Sequence, residues 1–330
     1  MAYSADATLT NFGALTGGIT ADPAAYERAL TLTNLGTVAA SGAAVSMSGG
    51  DVVTNGSTLS TGALFTGKVG VRLEGGTVVN FGTIASKEGS AGDAVNSNAA
   101  GGELVVEPGA VFVGKVRGGG SSNLDFETAG VADMRNVSGF ETITLGNGKS
   151  HALTVTGANF AKVAGQAITV DDGDSGNTVT GAALGAAARI IVHAGVGLDR
   201  LTGGKGNDVF FAGGDTVMRG GAGANEFTFS APGGNRVADF AVSATNEIVF
   251  SNKGFSLNLS SAAGTPKALP AGLFVENSDG HFTNTSQRFA YATGSGDLFY
   301  SASGENGMPT LVSHFSGGPA LAASQLFFIT

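Results

Sequence analysis

The sequence predicts an all-β protein: a right-handed parallel β-solenoid that runs into a shorter-period repeat and closes in a β-rich C-terminal region. Three observations predict it. Glycine takes 55 of 330 positions and proline only 7, a glycine share well above the roughly 7% usual for globular chains and without collagen's proline. A five-residue phrase returns at spacings of 23, 21 and 25 residues through the first half. From residue 194 the period drops to nine and aspartates enter it.

The composition bounds the rest. Apolar residues make up 42% and charged residues 13%, enough apolar surface for a core and too little charge for a disordered chain or a charge-rich coiled coil. The net charge of −9 argues against binding a phosphate backbone, which needs a cationic surface, and suits hard divalent cations. With no cysteine, disulfides, thiolate zinc sites and cysteine nucleophiles are excluded. The first ten residues lack the basic start and apolar run of a secretory signal peptide. No stretch approaches the ~18 apolar residues of a membrane helix. Neither nucleic acid nor a membrane span is expected.

The phrase is Asn, any residue, two small residues, then an aliphatic. It occurs as Asn11-Phe-Gly-Ala-Leu15, Asn34-Leu-Gly-Thr-Val38, Asn55-Gly-Ser-Thr-Leu59 and Asn80-Phe-Gly-Thr-Ile84. A longer echo pairs Ala63-Leu-Phe-Thr-Gly-Lys-Val69 with Ala110-Val-Phe-Val-Gly-Lys-Val116, two periods apart. Short Thr/Val/Leu runs such as Leu30-Thr-Leu-Thr33, broken by glycine pairs, have the character of short strands and tight turns. A strand-and-turn unit of about 23 residues is the signature of a solenoid. About eight coils between residues 8 and 190, spaced ~4.8 Å apart, make a rod near 40 Å long. The asparagines are expected to stack as an amide ladder, with Phe12 and Phe81 filling the interior or a coil edge. A β-sandwich of similar hairpins is the competing fold.

Helix signals are sparse. Asp22-Pro23 followed by Ala-Ala-Tyr-Glu-Arg-Ala-Leu30 predicts one short helix. The stretch 182–191 is ambiguous, with Ile190-Ile-Val192 favouring a strand at its end.

The nine-residue units are 194–202, 203–211, a unit one residue short at 212–219, and 220–228. The second, Gly-Gly-Lys-Gly-Asn-Asp-Val-Phe-Phe, fits G-G-x-G-x-D-x-U-x at every specified position. Glycines let the turns bring carbonyl oxygens together, and the aspartate adds an anionic oxygen, the donor set Ca²⁺ prefers. The expected calcium-binding residues are Gly197, Asp199, Gly204, Gly206, Asp208, Asp215, Gly223 and Asn225. Leu201, Phe210, Val217 and Phe227 are expected to point inward. Eighteen residues complete one turn, placing Asp199 near Asp215 and Asp208 near Asn225, with weaker binding on the Asn225 side. Asp171-Asp-Gly-Asp174 and Gly176-Asn177, just upstream, form a degenerate transition and a further candidate ion site. A calcium-free series of Gly–Asp turns is the plainer alternative.

These units resemble the RTX nonapeptide repeat, a calcium-binding parallel β-roll. The tail is similar to a type I secretion target domain. It runs through Val237-Ala-Asp-Phe240, Gln287-Arg-Phe-Ala-Tyr291, Gly296-Asp-Leu-Phe-Tyr300 and Leu321 to Thr330. The family's acidic turn is here Ser301-Ala-Ser-Gly304. The period of about 23 residues sets a solenoid domain at 1–190; the resemblance covers residues 194–330 and implies a β-roll at 191–230 and a secretion and capping domain at 231–330. It also implies export by a type I secretion machinery from a Gram-negative cell, with no cleaved N-terminal signal, and folding on external calcium. The first 190 residues are loosely similar to glycine-rich strand-repeat surface proteins.

Catalysis finds little support. His151, His193, His281 and His314 lack metal-ligand spacing. Asp51 and Glu103, with Thr77 midway, fall on one solenoid face, an arrangement a polysaccharide-active enzyme uses, but they also suit turns near solvent. Tryptophan is absent and tyrosine numbers 4, so sugar-stacking platforms are scarce. Threonine pairs such as Thr31 and Thr33 do not recur in every coil, as an ice-binding face requires. The expected role is a secreted structural protein that polymerises through an uncapped solenoid end into a surface layer, matrix filament or biofilm component. A monomeric adhesin for cell-surface polysaccharide is the alternative.

Overall fold

The computed structural model describes residues 6–20, 29–97 and 101–330. The expected helix at 22–30 lies almost wholly outside them. The described chain is all-β and forms about 11 turns of parallel β-solenoid, in two compact units, residues 1–169 and 170–330.

In the first unit each coil carries up to three strands. One wall stacks Ala7–Asn11, Leu30–Asn34, Val52–Asn55, Gly76–Asn80 and Gly102–Val106, then residues 122–126 and 140–145. Its inward column runs Leu32, Val53, Val78, Leu104, Leu124, Ile143, all buried. A second wall stacks Ala14–Thr16, Thr37–Ala39, Leu64–Gly67, Thr83–Ser86 and Val111–Val113. The third sets Val45, Val71, Val95 and Val116 in register. Alternation of β-branched and small residues thus places aliphatic on aliphatic at every step, burying a continuous core that no single coil has alone. The two-period echo is real: Phe65 and Phe112 flank Ile84 in one column of the second wall.

The predicted ladder forms. Asn11 Nδ2 donates to Asn34 Oδ1 (2.7 Å), Asn34 to Asn55 (2.8 Å) and Asn55 to Asn80 (2.9 Å). It stops there because the next coil presents Val106 in register with Asn80, and the Asn80 Nδ2 is left without an acceptor.

Two details differ from expectation. Phe12 is 76% exposed and fills no interior. Leu59, the aliphatic of the third phrase, is 98% exposed, because extra residues form a turn closed by a Ser57–Ser60 bridge. The second-wall strand of that coil begins instead at Leu64.

The second wall is interrupted. Val111–Val113 ends one sheet and Gly130–Ala132 begins another. A cleft of about 630 Å³ opens beside them, lined by Val106, Phe112, Val116, Leu124, Phe126 and Val131.

In the second unit the coil has two walls. One stacks Arg189–His193, Val209–Ala212, Glu226–Phe229, Glu247–Ser251 and Leu326–Ile329. The other stacks Thr178–Thr180, Arg200–Thr202, Val217–Arg219, Asn235–Val237 and Thr310–Phe315. The ambiguous stretch resolves into turns followed by the strand Arg189–His193. Leu201, Phe210 and Phe227 point inward as expected, but Met218, not Val217, fills the third inward position. The short unit explains it: Leu201 pairs with Met218, shifting the inward position by one.

Both walls end on strands from the C-terminal segment. Phe289–Ala292 and Asp297–Tyr300 form an antiparallel pair, and Thr310–Phe315 adds to it. Phe289 stacks on Phe250 at 3.8 Å, Phe255 packs edge-on against both, and Tyr300 packs edge-on against Phe255. Ser301, in the turn lacking acidic residues, is buried and its hydroxyl donates to the Gly304 carbonyl at 2.8 Å.

Candidate functional site

The glycine–aspartate turns of the second unit stack on two sides of the roll. On the first side lie residues 172–177, 194–199, 213–216 and 233–235. On the second lie 181–189, 203–208, 220–225 and 238–246. Each turn feeds a strand, and at every strand entry but that of Arg189–His193 stands a buried Asp, Asn or Thr.

These residues form columns with one recurring bond. On the second side Asp208 Oδ1 accepts the N–H of Ile190 (2.8 Å), Asn225 Oδ1 that of Asp208 (3.0 Å), and Asn246 Oδ1 that of Asn225 (3.0 Å). On the first, Asp199 Oδ1 accepts the N–H of Asn177 (2.9 Å) and Asn235 Oδ1 that of Thr216 (3.1 Å). Each side chain ties its coil to the strand entry of the coil before, satisfying a backbone donor that would otherwise be buried unpaired. Asp51 does the same in the first unit, accepting from Leu30 (2.8 Å) and Ser48 (2.7 Å). It is fully buried rather than near solvent, which leaves it no role on an outer catalytic face. Glu103 accepts the Thr77 hydroxyl at 3.0 Å.

The expected ligands separate accordingly. Asp208 and Asn225 share a column, as the spacing predicts. Asp199 is in register with Thr216 rather than Asp215. Asp215 lies in the same turn but is exposed. The missing residue in the third unit moves Thr216 into the buried position. Gly204 donates its N–H to Asp208 Oδ2 at 2.7 Å. Gly206 and Gly223 lie in consecutive turns, where a Cβ on Gly223 would come 2.1 Å from the Gly206 carbonyl oxygen. Gly197 packs on residues 175–176 of the preceding turn.

The acids differ in what their oxygens meet. Both oxygens of Asp208 hold backbone N–H groups. Burial pushes its carboxyl up, and those two bonds and the Arg189 charge pull it back. Asp199 has one oxygen bonded and the other, Oδ2, without a partner; burial raises it too, against the Asn177 N–H. Asp172 is 1% exposed and neither of its oxygens has a hydrogen-bond partner. Burial, then the Asp199 charge, push its carboxyl up to about 8, offset in part by the Asn177 amide. Among the described residues no three acidic or imidazole side chains gather into a metal-binding group.

Sequence reasoning did not place Asn235, Asn246 or Asp239 in the turn stack; Asp239 is legible there only as part of the tail stretch Val237-Ala-Asp-Phe240. Asp239 accepts the N–H groups of Gly220 (2.8 Å) and Gly221 (2.9 Å). Asn246 lies 21 residues after Asn225 in the same column, a longer coil that a nine-residue template skips.

The turn stack is tight enough to test. A Cβ on Gly195 would sit 1.7 Å from the Gly173 carbonyl oxygen. Gly195→Ala is expected to cost about 1–3 kcal/mol through forced backbone displacement, while Gly185→Ala, with open space around it, leaves the denaturation midpoint nearly unchanged.

No protein-family model, curated protein or solved structure matches this chain.

Proposed function

We propose that the chain is a secreted, calcium-stabilised structural protein that self-assembles outside the cell, as a surface layer or a matrix filament of the biofilm type. The observation that carries the assembly is the first coil: Ala7–Asn11, Ala14–Thr16 and Ile19–Thr20 each pair with a strand on one side only among the described residues. Left uncovered, such edges template pairing with another copy, and contacts that do not close give open polymers. The resemblance of the nonapeptide units to calcium-binding RTX repeats, and of the tail to a type I secretion target domain, supports export by that route and folding on external calcium. The buried carboxylates, which burial alone disfavours, support a cation requirement.

Electron microscopy of the purified chain in millimolar calcium is expected to show elongated or sheet-like assemblies, and chelator to disperse them. Dispersed particles in both conditions overturn assembly. The second reading, a monomeric adhesin or binding module, is favoured by the cleft beside Val111–Val113, whose apolar wall is joined by Thr128, Asp133, Arg135 and Asn136, and saturable binding of a glycan by dispersed particles would put it first.

A further inference from the structure

We propose that Asp172 and Asp199 together hold one divalent cation of the calcium class, at a site half outside the nine-residue repeats. Asp172 occupies the opening position of its turn, where the following turns carry Ala194 and Ala212; its N–H donates to the His193 carbonyl (2.9 Å), and that of Ala194 to Phe211 (2.9 Å). An acid at that position is absent from the other turns of this side.

Asn177 joins the two acids. Its side-chain amide donates to the Asp172 carbonyl, and its backbone N–H donates to Asp199 Oδ1 (2.9 Å). Both residues are essentially inaccessible, at 1% and 0% exposure. Three of their four carboxylate oxygens have no hydrogen-bond partner. Buried anionic oxygens without donors are costly unless a cation or a proton meets them. Carboxylate oxygen is what a hard cation selects, and Ca²⁺ accepts six to eight such ligands with water or carbonyls filling the rest. Asp208 shows the contrast. Equally buried, it has a backbone donor on each oxygen and needs no ion for compensation.

The choice of calcium rests on the reading above; the position of the site does not. The test is calcium titration of the full-length chain, followed by thermal unfolding and by terbium luminescence with calcium competition. Wild type and Asp51→Asn, a buried acid of the first unit with a backbone donor on each oxygen, are expected to show a calcium-dependent rise in midpoint. Asp172→Asn is expected to lose that rise and to weaken calcium binding at least about tenfold, since ligand charge sets affinity at such sites. Asp199→Asn retains the Oδ1 acceptor for Asn177 and is expected to behave like Asp172→Asn. If Asp172→Asn keeps the wild-type calcium response, the site is overturned and calcium stabilisation stands. If wild type itself ignores calcium and terbium, both fall.

Discussion

Replacing Asn55 by alanine is expected to lower the stability of the first unit by about 3–5 kcal/mol, a large effect for one surface-sized side chain. Asn55 is fully buried. Its Oδ1 accepts from Asn34, and its Nδ2 donates to Asn80 Oδ1 (2.9 Å) and to the Thr83 carbonyl (3.0 Å). Truncation leaves two neighbouring amides and a carbonyl short of partners in a dry interior, and adds a cavity. Because each amide accepts from one neighbour and donates to the next, the bonds polarise one another, and loss in the middle costs more than loss at an end. Asn11→Ala is therefore expected to cost less. Asn55→Asp separates hydrogen bonding from volume: it keeps the shape but sets a carboxylate oxygen against Asn80 Oδ1 and the Thr83 carbonyl. Urea denaturation of the variants measures this, and an Asn55→Asp chain as stable as wild type would show that the ladder is incidental.

The second large effect is a stability that falls as pH rises when calcium is withheld. In the fold Asp172 titrates at about 8, against 3.8 for an ordinary aspartate. Between those values the folded chain holds a proton that the unfolded chain has released, so folding becomes less favourable with each step up in pH. The stabilisation is whole below pH 4 and is lost as pH passes through 8, a change of several kcal/mol at about 1.4 kcal/mol per unit. Asp199 adds to the effect, its carboxyl also being raised by burial. The Asn177 amide works against it. A cation bound to the ionised pair removes the penalty, so the calcium-induced shift is expected to grow with pH. Denaturation midpoints in chelator from pH 4 to 8 test this, and Asp172→Asn should flatten the profile. A midpoint in chelator that climbs across that range contradicts it.

Much of this architecture was legible in the linear chain because the solenoid writes its period into the sequence. Asn11, Asn34, Asn55 and Asn80 are neighbours in space since a parallel stack brings equivalent positions together, and spacing alone locates them. What misled was local insertion and deletion. The extra turn after Asn55 put Leu59 in solvent, and the residue missing before Thr216 exchanged Asp215 for Thr216 and Val217 for Met218. The second is a one-residue slip, which reverses the face a side chain occupies; the first is a longer insertion that moves the start of the whole strand to Leu64. The site was legible as a region but not in its division of labour. The same letter, Asp, stands at 199 and 208, yet in the fold Asp208 has a backbone donor on each oxygen and Asp199 has one oxygen without a partner. Asp172 precedes the first unit, so the nine-residue template leaves it out and the sequence marks it only as part of the Asp171–Asp174 candidate ion site.

The pairing of Asn235 with Ser313 spans 78 residues, and Ile248 meets Leu326 across an equally long loop, whereas the coils between are joined at short range. Short-range stacking zips quickly, and such distant closures are slow because a long loop must be brought together first. Until residues 310–329 dock, the strands Asn235–Val237 and Glu247–Ser251 therefore present bare edges on which another copy can pair.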